Sequence, residues 1–415
     1  MSGDDKEAES ETNETDGPAP IKPRPSGLAL RYPTIEDLRK RARRRVPRFT
    51  FDYVDGAAGA GETCKTRNAA ALDAVELVPR YGVENFTADT EVELFGRRYA
   101  APVAIAPMGL PGLVWPGGEE ALARAAQAAR IPFILSSAAG ATIERVAELA
   151  PDCTWFQLYR MPRNELAINF DLVRRAEAVG VQALMLTLDV PARTKRPREL
   201  RNRLIIPYTV GLRTFAHVLP HPAWLLALQR HGQTAFANYQ AYAGEKVSNR
   251  EVVKFVREQS GGSFTWDEVA RFRDAWKGPL VVKGILHPHD AERAVGLGVD
   301  GVVVSNHGGR QLESAPASID VLPAVAAVVG DRATVLFDSG IRSGEDVVRA
   351  LALGAKSTLA GRAFMYGLAA LGPRGPSHVA NFFFDEIAEA MRQVGTRHCG
   401  EIRDLVVRHS SALAF

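Results

Sequence analysis

The chain is poor in cysteine: Cys64, Cys153 and Cys399 are its full complement among 415 residues, and no two stand in a CxxC pair. That pattern excludes a disulfide framework and a thiolate zinc site and points to a reducing compartment, so a cytoplasmic setting is expected, with peripheral attachment to the inner face of the membrane as the variant of it. No run of about 18 apolar residues occurs, so no spanning helix is expected. Residues 1–26 are acidic and polar, lack the apolar core of a signal peptide, and read as a disordered tail with no haem module in it. A net charge of +3 is too small to argue for a nucleic-acid partner. The basic run "RKRARRRVPR", Arg39–Arg48, has helical spacing and acidic residues upstream, and reads as a solvated helix face. There is no Walker-type glycine loop, and no GxGxxG opens a helix after a strand, so nothing argues for a nucleotide held in a Rossmann manner.

What is present is a repeated theme. Hydrophobic content of 46% suits a large soluble core. Beyond residue 100, eight short apolar runs end in small or polar residues: "PVAIAPMG", "IPFILSS", "TWFQLY", "ALMLTLD", "PLVVKG", "GVVVSNHGG", "TVLFDSG" and "STLAGR". Segments of helical periodicity such as "GGEEALARAAQAAR", "TIERVAELA" and "SGEDVVRALALG" lie between them. Alternating strands and helices imply parallel pairing with right-handed crossovers, and eight units predict a closed (β/α)8 TIM barrel, here assigned to residues 27–415 as one domain. One connection is abnormally long. Residues 190–264 separate the fourth strand from the next helix and include the apolar stretch "FAHVLPHPAWLLALQRHG", Phe215–Gly232. A lid, a subunit contact, a membrane-facing patch and a plain helical excursion packed on the barrel all suit it.

In a barrel of this kind the chemistry gathers at the C-terminal ends of the strands. Those ends carry Pro107, Ser136, Gln157 with Tyr159, Thr187 with Asp189, Lys283, Ser305 with His307, Asp338, and Gly361 with Arg362. His307 and Arg310, in "SNHGGRQLE", pair a proton acceptor with a carboxylate clamp. Asp189 is placed to stabilise the imidazolium. A second clamp arginine is expected from "ARTKRPRELRNR", and Tyr159 and Tyr53 are candidates for hydrogen bonds to substrate. "DSGIRSG" and "AGR", with Gly340, Arg342 and Arg362, are the equipment of a phosphate site. Lys283, in "LVVKG", requires a partner for a buried ammonium: a flavin N1 and C2 carbonyl, a Schiff base and a core ion pair are the three possibilities.

These residues together resemble the FMN-dependent L-2-hydroxy acid oxidase and dehydrogenase family, which includes glycolate oxidase, lactate oxidase, lactate 2-monooxygenase, L-lactate dehydrogenase and mandelate dehydrogenase. The resemblance runs from Tyr32 to the C-terminus through "FDYVDG", "LSS", "FQLY", "LTLD", "VVKG", "SNHGGRQL", "DSGIRSG" and "GR" in order. It implies FMN as cofactor and oxidation of an L-2-hydroxy acid, lactate-like or larger, to the 2-oxo acid, with oxygen or a quinone or cytochrome as acceptor and a homotetramer as assembly. By the same resemblance His307 removes a substrate proton and Asp189 supports it. Arg310 and Arg196 bind the carboxylate, with Arg193 and Arg198 as rivals to Arg196 because Pro197 replaces the acidic residue often found next. Pro107, Met108 and Gly109 pass the flavin edge; Ser136, Gln157, Thr187, Lys283 and Ser305 bind the ring or ribityl chain; Asp338, Gly340, Arg342, Gly361 and Arg362 hold the ribityl and phosphate end. Ala138 replaces a bulky residue of glycolate oxidase and implies room for a larger side chain. Gly109 resembles the lactate monooxygenase branch, which leaves a 2-monooxygenase-type reaction as an alternative, and Glu313 replaces a more usual aspartate. A non-redox, isomerase-like FMN barrel would share the phosphate loops without needing His307 and paired arginines, and a scaffold barrel would need neither.

Overall fold

The computed structural model describes residues 27–192, 194–202, 217–244 and 247–415. The assigned tail, Arg193 and the first two residues of the Phe215–Gly232 stretch lie outside them.

Strands are named in chain order: β1 (Val75–Leu77), β2 (Val92–Leu94), β3 (Arg97–Tyr99), β4 (Val103–Ile105), β5 (Phe133–Ser136), β6 (Thr154–Leu158), β7 (Leu184–Thr187), β8 (Leu280–Ile285), β9 (Gly301–Val304), β10 (Thr334–Asp338), β11 (Ser357–Ala360) and β12 (Val407–His409). β4 to β11 form one closed barrel, and every pair in it is parallel, including β11 with β4. Each of the eight expected apolar runs supplies one of these strands. Their residues are almost all buried, as strands covered on both faces must be, which is why they read as continuous apolar runs instead of alternating ones.

The crossover helices start where their sequences offer caps. Thr142 accepts from the Arg145 N–H, while Thr265 with Glu268 and Ser343 with Asp346 form capping boxes. Two further features fix which end is open. The β2–β3 hairpin turns through Phe95 and Gly96, both at positive φ (52° and 76°), and the Phe95 ring lies over Trp155 at 5.5 Å, against Gly301 at the start of β9. That apolar plug closes the N-terminal end of the barrel. At the opposite end, helices Ile35–Arg45 and Arg48–Asp55 lie beside helix Arg362–Leu371, and Tyr53 and Val54 join the lining of a cavity at the strand ends.

Within the long connection, helices Pro197–Arg201, Pro222–His231 and Asn249–Gln259 are described. The stretch 217–244 packs on the barrel. Trp224 is fully buried, donates from Nε1 to the Val114 carbonyl at 3.0 Å and meets Phe49 edge to face at 6.2 Å. Asn238 Oδ1 accepts from the Ile143 N–H at 3.0 Å, and the Ala237 N–H donates to the Ala139 carbonyl at 3.0 Å. Trp224 is therefore the apolar anchor of this excursion, and Trp224→Ala removes packing worth about 3–5 kcal/mol. Limited proteolysis with mass mapping should show cleavage between residues 217 and 244 accelerating at least about tenfold while the barrel's denaturant midpoint stays near that of the parent, because the loosened segment opens locally.

Candidate active site

His307 sits where no ordinary strand continuation would put it. Its φ is 58°, in the left-handed region that costs a non-glycine residue conformational energy. Neighbours hold it there. The Ser305 hydroxyl accepts the His307 N–H at 3.0 Å, Ser339 Oγ accepts the Gly308 N–H at 3.0 Å, and Asn306 Oδ1 accepts the Gly309 N–H at 3.0 Å. Asn306 is itself clasped by Asn68 through two side-chain hydrogen bonds of 2.6 and 2.9 Å. The turn presents the imidazole to Asp189, whose Oδ1 lies 2.9 Å from Nδ1. This approach depends on Gly284 (φ 101°), since a Cβ there would stand 2.5 Å from the Asp189 Cβ. Burial pushes the His307 pKa below its ordinary value, and the Asp189 carboxylate offsets this in part. Burial works to raise Asp189, but His307 and Lys283 together outweigh it and the carboxyl titrates below its usual range. With Nδ1 engaged by Asp189, Nε2 is the nitrogen left to face the cavity.

One strand over, the Lys283 ammonium is buried with Asp338 Oδ2 at 2.7 Å and Ser305 Oγ at 2.8 Å, and Ser305 Oγ donates to the same carboxylate oxygen at 2.7 Å. Burial opposes the charge on Lys283, yet the Asp338 carboxylate holds its pKa above the ordinary lysine value. Of the three partners open to this lysine in the sequence, the structure supplies the ion pair. Ser136, Gln157 and Thr187 form a second polar chain across neighbouring strands, with Ser136 Oγ to Gln157 Oε1 and Gln157 Nε2 to Thr187 Oγ1 both at 2.8 Å. These three and Ser305 are buried and do not line the cavity; the three bond one another beneath its floor, and Ser305 bonds Lys283 and Asp338.

The cavity has a volume of about 350 Å³. Pro107, Met108, Gly109, Lys283, Asp338, Gly340, Arg342, Gly361 and Arg362 line it together with Tyr53, Tyr159, Arg196, His307 and Arg310. The structure thus brings the expected anion end and the expected acid–base end into one space. Arg310 donates from Nη1 to the carbonyls of Tyr53 (2.8 Å) and Gly56 (3.0 Å), and stacks over the Tyr53 ring at 5.3 Å. Arg196 reaches the Arg310 carbonyl from Nε at 3.3 Å. Its rival Arg198 turns away, to Asp55 and Glu62, at 2.6 Å from each. Burial raises the Tyr53 and Tyr159 phenols, so both stay protonated; the Tyr53 hydroxyl donates to the Gly109 carbonyl at 2.8 Å. Arg362 donates to the carbonyls of Val54, Gly56 and Gly308, and its burial pushes its pKa down to about 10.

Three contributions escaped the reading of the sequence. Phe236, from the long connection, lines the cavity next to Ala138, and Glu199 lines it beside the two arginines. The Asn68–Asn306 clasp joins residues far apart in the chain. For Phe236 the aromatic content of the connection was a signal; for Glu199 and the clasp no local pattern distinguishes them from surface polar residues.

The Lys283–Asp338 pair provides a direct test of the electrostatics. Lys283→Met leaves the Asp338 carboxyl buried with Ser305 alone, and removal of one partner of a buried pair costs about 3–5 kcal/mol. Urea denaturation at pH 7 should show that loss. The deficit should shrink as pH falls, because protonation of Asp338 relieves the unpaired charge.

The FMN-dependent dehydrogenase family matches residues 42–409. The L-lactate dehydrogenase of Caulobacter vibrioides is 40% identical over 372 residues, covering 89% of this chain and 96% of its own. That of Bartonella quintana is 39% identical over 378 residues, covering 91% and 98%. Among solved structures, the monotopic membrane protein (S)-mandelate dehydrogenase superposes with a TM-score of 0.84 at 36% identity, over 91% of this chain and 99% of its own. A mandelate oxidase with (S)-4-hydroxymandelic acid gives 0.79 at 36% identity with the same coverage. A closed parallel barrel, a histidine–aspartate pair at its mouth and a match across nearly the whole chain lead to one conclusion: the protein belongs to the FMN-dependent dehydrogenase family.

Proposed function

We propose that the protein oxidises an (S)-2-hydroxy acid with a side chain larger than that of glycolate to the 2-oxo acid, with His307 as the base. The observation that carries this reading is the convergence of a neutral, carboxylate-backed imidazole and two arginines on one cavity. The residues fit FMN. Arg362 is a buried guanidinium whose hydrogen bonds all end on carbonyls, so with Arg342 and the backbone at Gly340 and Gly361 it offers an anion site for the phosphate. Lys283 keeps a positive charge at the cavity floor, and Pro107, Met108 and Gly109 form a wall that would take the flavin ring. Bound FMN supplies a two-electron acceptor.

The protein's part is orientation and proton transfer. Arg310 and Arg196 hold the substrate carboxylate, which fixes the hydroxyl-bearing carbon relative to His307 Nε2. Tyr159 donates a hydrogen bond to the substrate. His307 takes the proton, and Asp189 stabilises the imidazolium that results. Ala138 leaves space for the side chain and Phe236 gives it an apolar wall, which favours lactate and larger, including aromatic, side chains.

His307→Gln should retain yellow FMN yet lose anaerobic bleaching by substrate, and a panel of glycolate, lactate and mandelate should bleach the parent least with glycolate. Undiminished bleaching in the variant overturns the assignment. The pH dependence follows from the same pair. Reaction needs neutral His307, so kcat/KM rises with pH along a limb below the ordinary histidine value of about 6.5. Asp189→Asn removes the group that raises the His307 pKa, so the limb moves further to acid while the plateau falls by about 10²-fold or more.

A second observation supports a membrane-facing surface. No helix among the described residues is long and apolar enough to cross a membrane. Helix Ile35–Arg45 and its continuation expose Lys40, Arg41, Arg43, Arg44 and Arg48, and the excursion that docks on Phe49 exposes Leu219 and Leu226 (57% and 68%). Exposed cations and exposed leucines on two segments joined through Phe49 and Trp224 suit an anionic bilayer. A quinone is then the proposed acceptor, and the assembly proposed by resemblance is a homotetramer. The protein should co-sediment with phosphatidylglycerol vesicles, release at high salt, and ignore phosphatidylcholine; Leu226→Glu should weaken the association. Reduced enzyme that reoxidises as fast in air as with added quinone would favour oxygen instead.

A further inference from the structure

Two guanidiniums facing one cavity repel each other, and burial together with Arg196 lowers the Arg310 pKa. Their resident countercharge is Glu199. Its Oε1 accepts from Arg310 Nη2 at 3.1 Å and lies 3.4 Å from Arg196 Nη1, so one carboxylate oxygen bridges both cations on the cavity wall. Glu199 is held in place by its neighbours: it rides on the short helix Pro197–Arg201, which Arg198 pins to Asp55 and Glu62 at 2.6 Å each. The bridge does not exhaust the arginines. Arg310 Nη1 is spent on backbone carbonyls and Arg196 Nε on another, but Arg310 Nε and Arg196 Nη2 have no hydrogen-bond acceptor among the described residues. Two cations and one fixed anion leave a single positive charge to be met by a ligand.

We infer that Glu199 is a specificity-determining residue: it restricts the pocket to 2-hydroxy monocarboxylates by repelling any second carboxylate on the substrate. The inference rests on the reading that Arg310 and Arg196 bind the first carboxylate. A second carboxylate about 6 Å from Glu199, at an effective dielectric near 20, is disfavoured about 100-fold, which ionic screening at a partly exposed site reduces to about tenfold. Glu199 touches the arginines and needs no contact with the reacting atoms to act in this way. Neutralising it strengthens binding of any anion, but strengthens binding of a dianion more.

The test is calorimetric titration of the FMN-loaded full chain with two non-reacting 2-oxo acids, pyruvate and 2-oxoglutarate. Glu199→Gln should raise the affinity for 2-oxoglutarate relative to pyruvate by about tenfold, and Glu199→Asp, which keeps the charge, should leave the ratio near that of the parent. Glu199→Ser removes the charge by a second route and should move the ratio in the same direction, which guards against a folding defect in one variant. A ratio unchanged in both Gln and Ser variants, or equal gains for both ligands, overturns the proposal; the latter would mean that Glu199 merely competes for the arginines. Glu199→Asp raising the ratio as much as Gln also overturns it, because shape and not charge would then decide. Arg310→Lys separates this from the underlying reading: if pyruvate binding to an otherwise parental chain is indifferent to it, the arginine clamp itself is wrong, whatever Glu199 does.

Discussion

Charge taken out of water has to be neutralised where it lies, and at the mouth of this barrel that requirement ties together the ends of four adjacent strands, β7 to β10. Lys283 on β8 is neutralised by Asp338 at the end of β10, with Ser305 from the turn after β9 bonded to both. The same serine hydroxyl accepts the His307 N–H, so the ion pair and the strained histidine share one atom. A shift of any one of these three strands along the barrel axis would break the ion pair and the histidine turn together. Register in the barrel, set by apolar strands buried on both faces, is therefore a condition of the electrostatics as well as of the packing.

The N-terminal segment is bound to the mouth by a second set of charges. Asp55 lies between Arg39, Arg198 and the Tyr366 hydroxyl, and Lys65 stands 3.7 Å from it. These partners come from helices Ile35–Arg45 and Thr63–Asp73, the long connection and the helix after β11. Asp55 titrates far below the usual carboxylate range, because those hydrogen bonds and charges overcome the effect of its burial. This node makes the wall that carries Tyr53 and stations Arg198 away from the cavity, which leaves Arg196, of the arginines in its segment, to face the cavity with Arg310. Functional selectivity among similar residues is thus decided by which of them the structural ion pairs consume.

Local sequence carries the barrel well, for a physical reason. A strand buried on both faces must be apolar throughout, and a helix packed on it must be amphipathic, so runs such as "GVVV" and "TVLF" and the segments between them declare themselves without tertiary information. Strand-end residues are legible for a related reason: His307, Lys283 and Asp338 are polar where an apolar run stops, and the barrel topology converges all such ends. What the sequence does not show is set by distant contacts. Cross-strand register pairs Ser136, Gln157 and Thr187 with one another across β5, β6 and β7. Phe236 reaches the cavity because Trp224 anchors its segment on Val114 and Phe49, and the Asn68–Asn306 clasp spans 238 residues.

What the sequence by itself determined is therefore the alternation of elements, the closed barrel, and the set of chemically capable residues at one end of it. Short-range periodicity and residue type suffice for these, because each is imposed by burial along a single segment. Only the tertiary structure decided which capable residues face the cavity and in what state of charge. Lys283 took Asp338 as its partner, Arg198 was withdrawn by Asp55 and Glu62, and Glu199 was brought between Arg196 and Arg310. Those outcomes depend on pairings between segments, since the energy of a buried charge is set by what lies within a few ångströms of it in space and not by its neighbours in the chain.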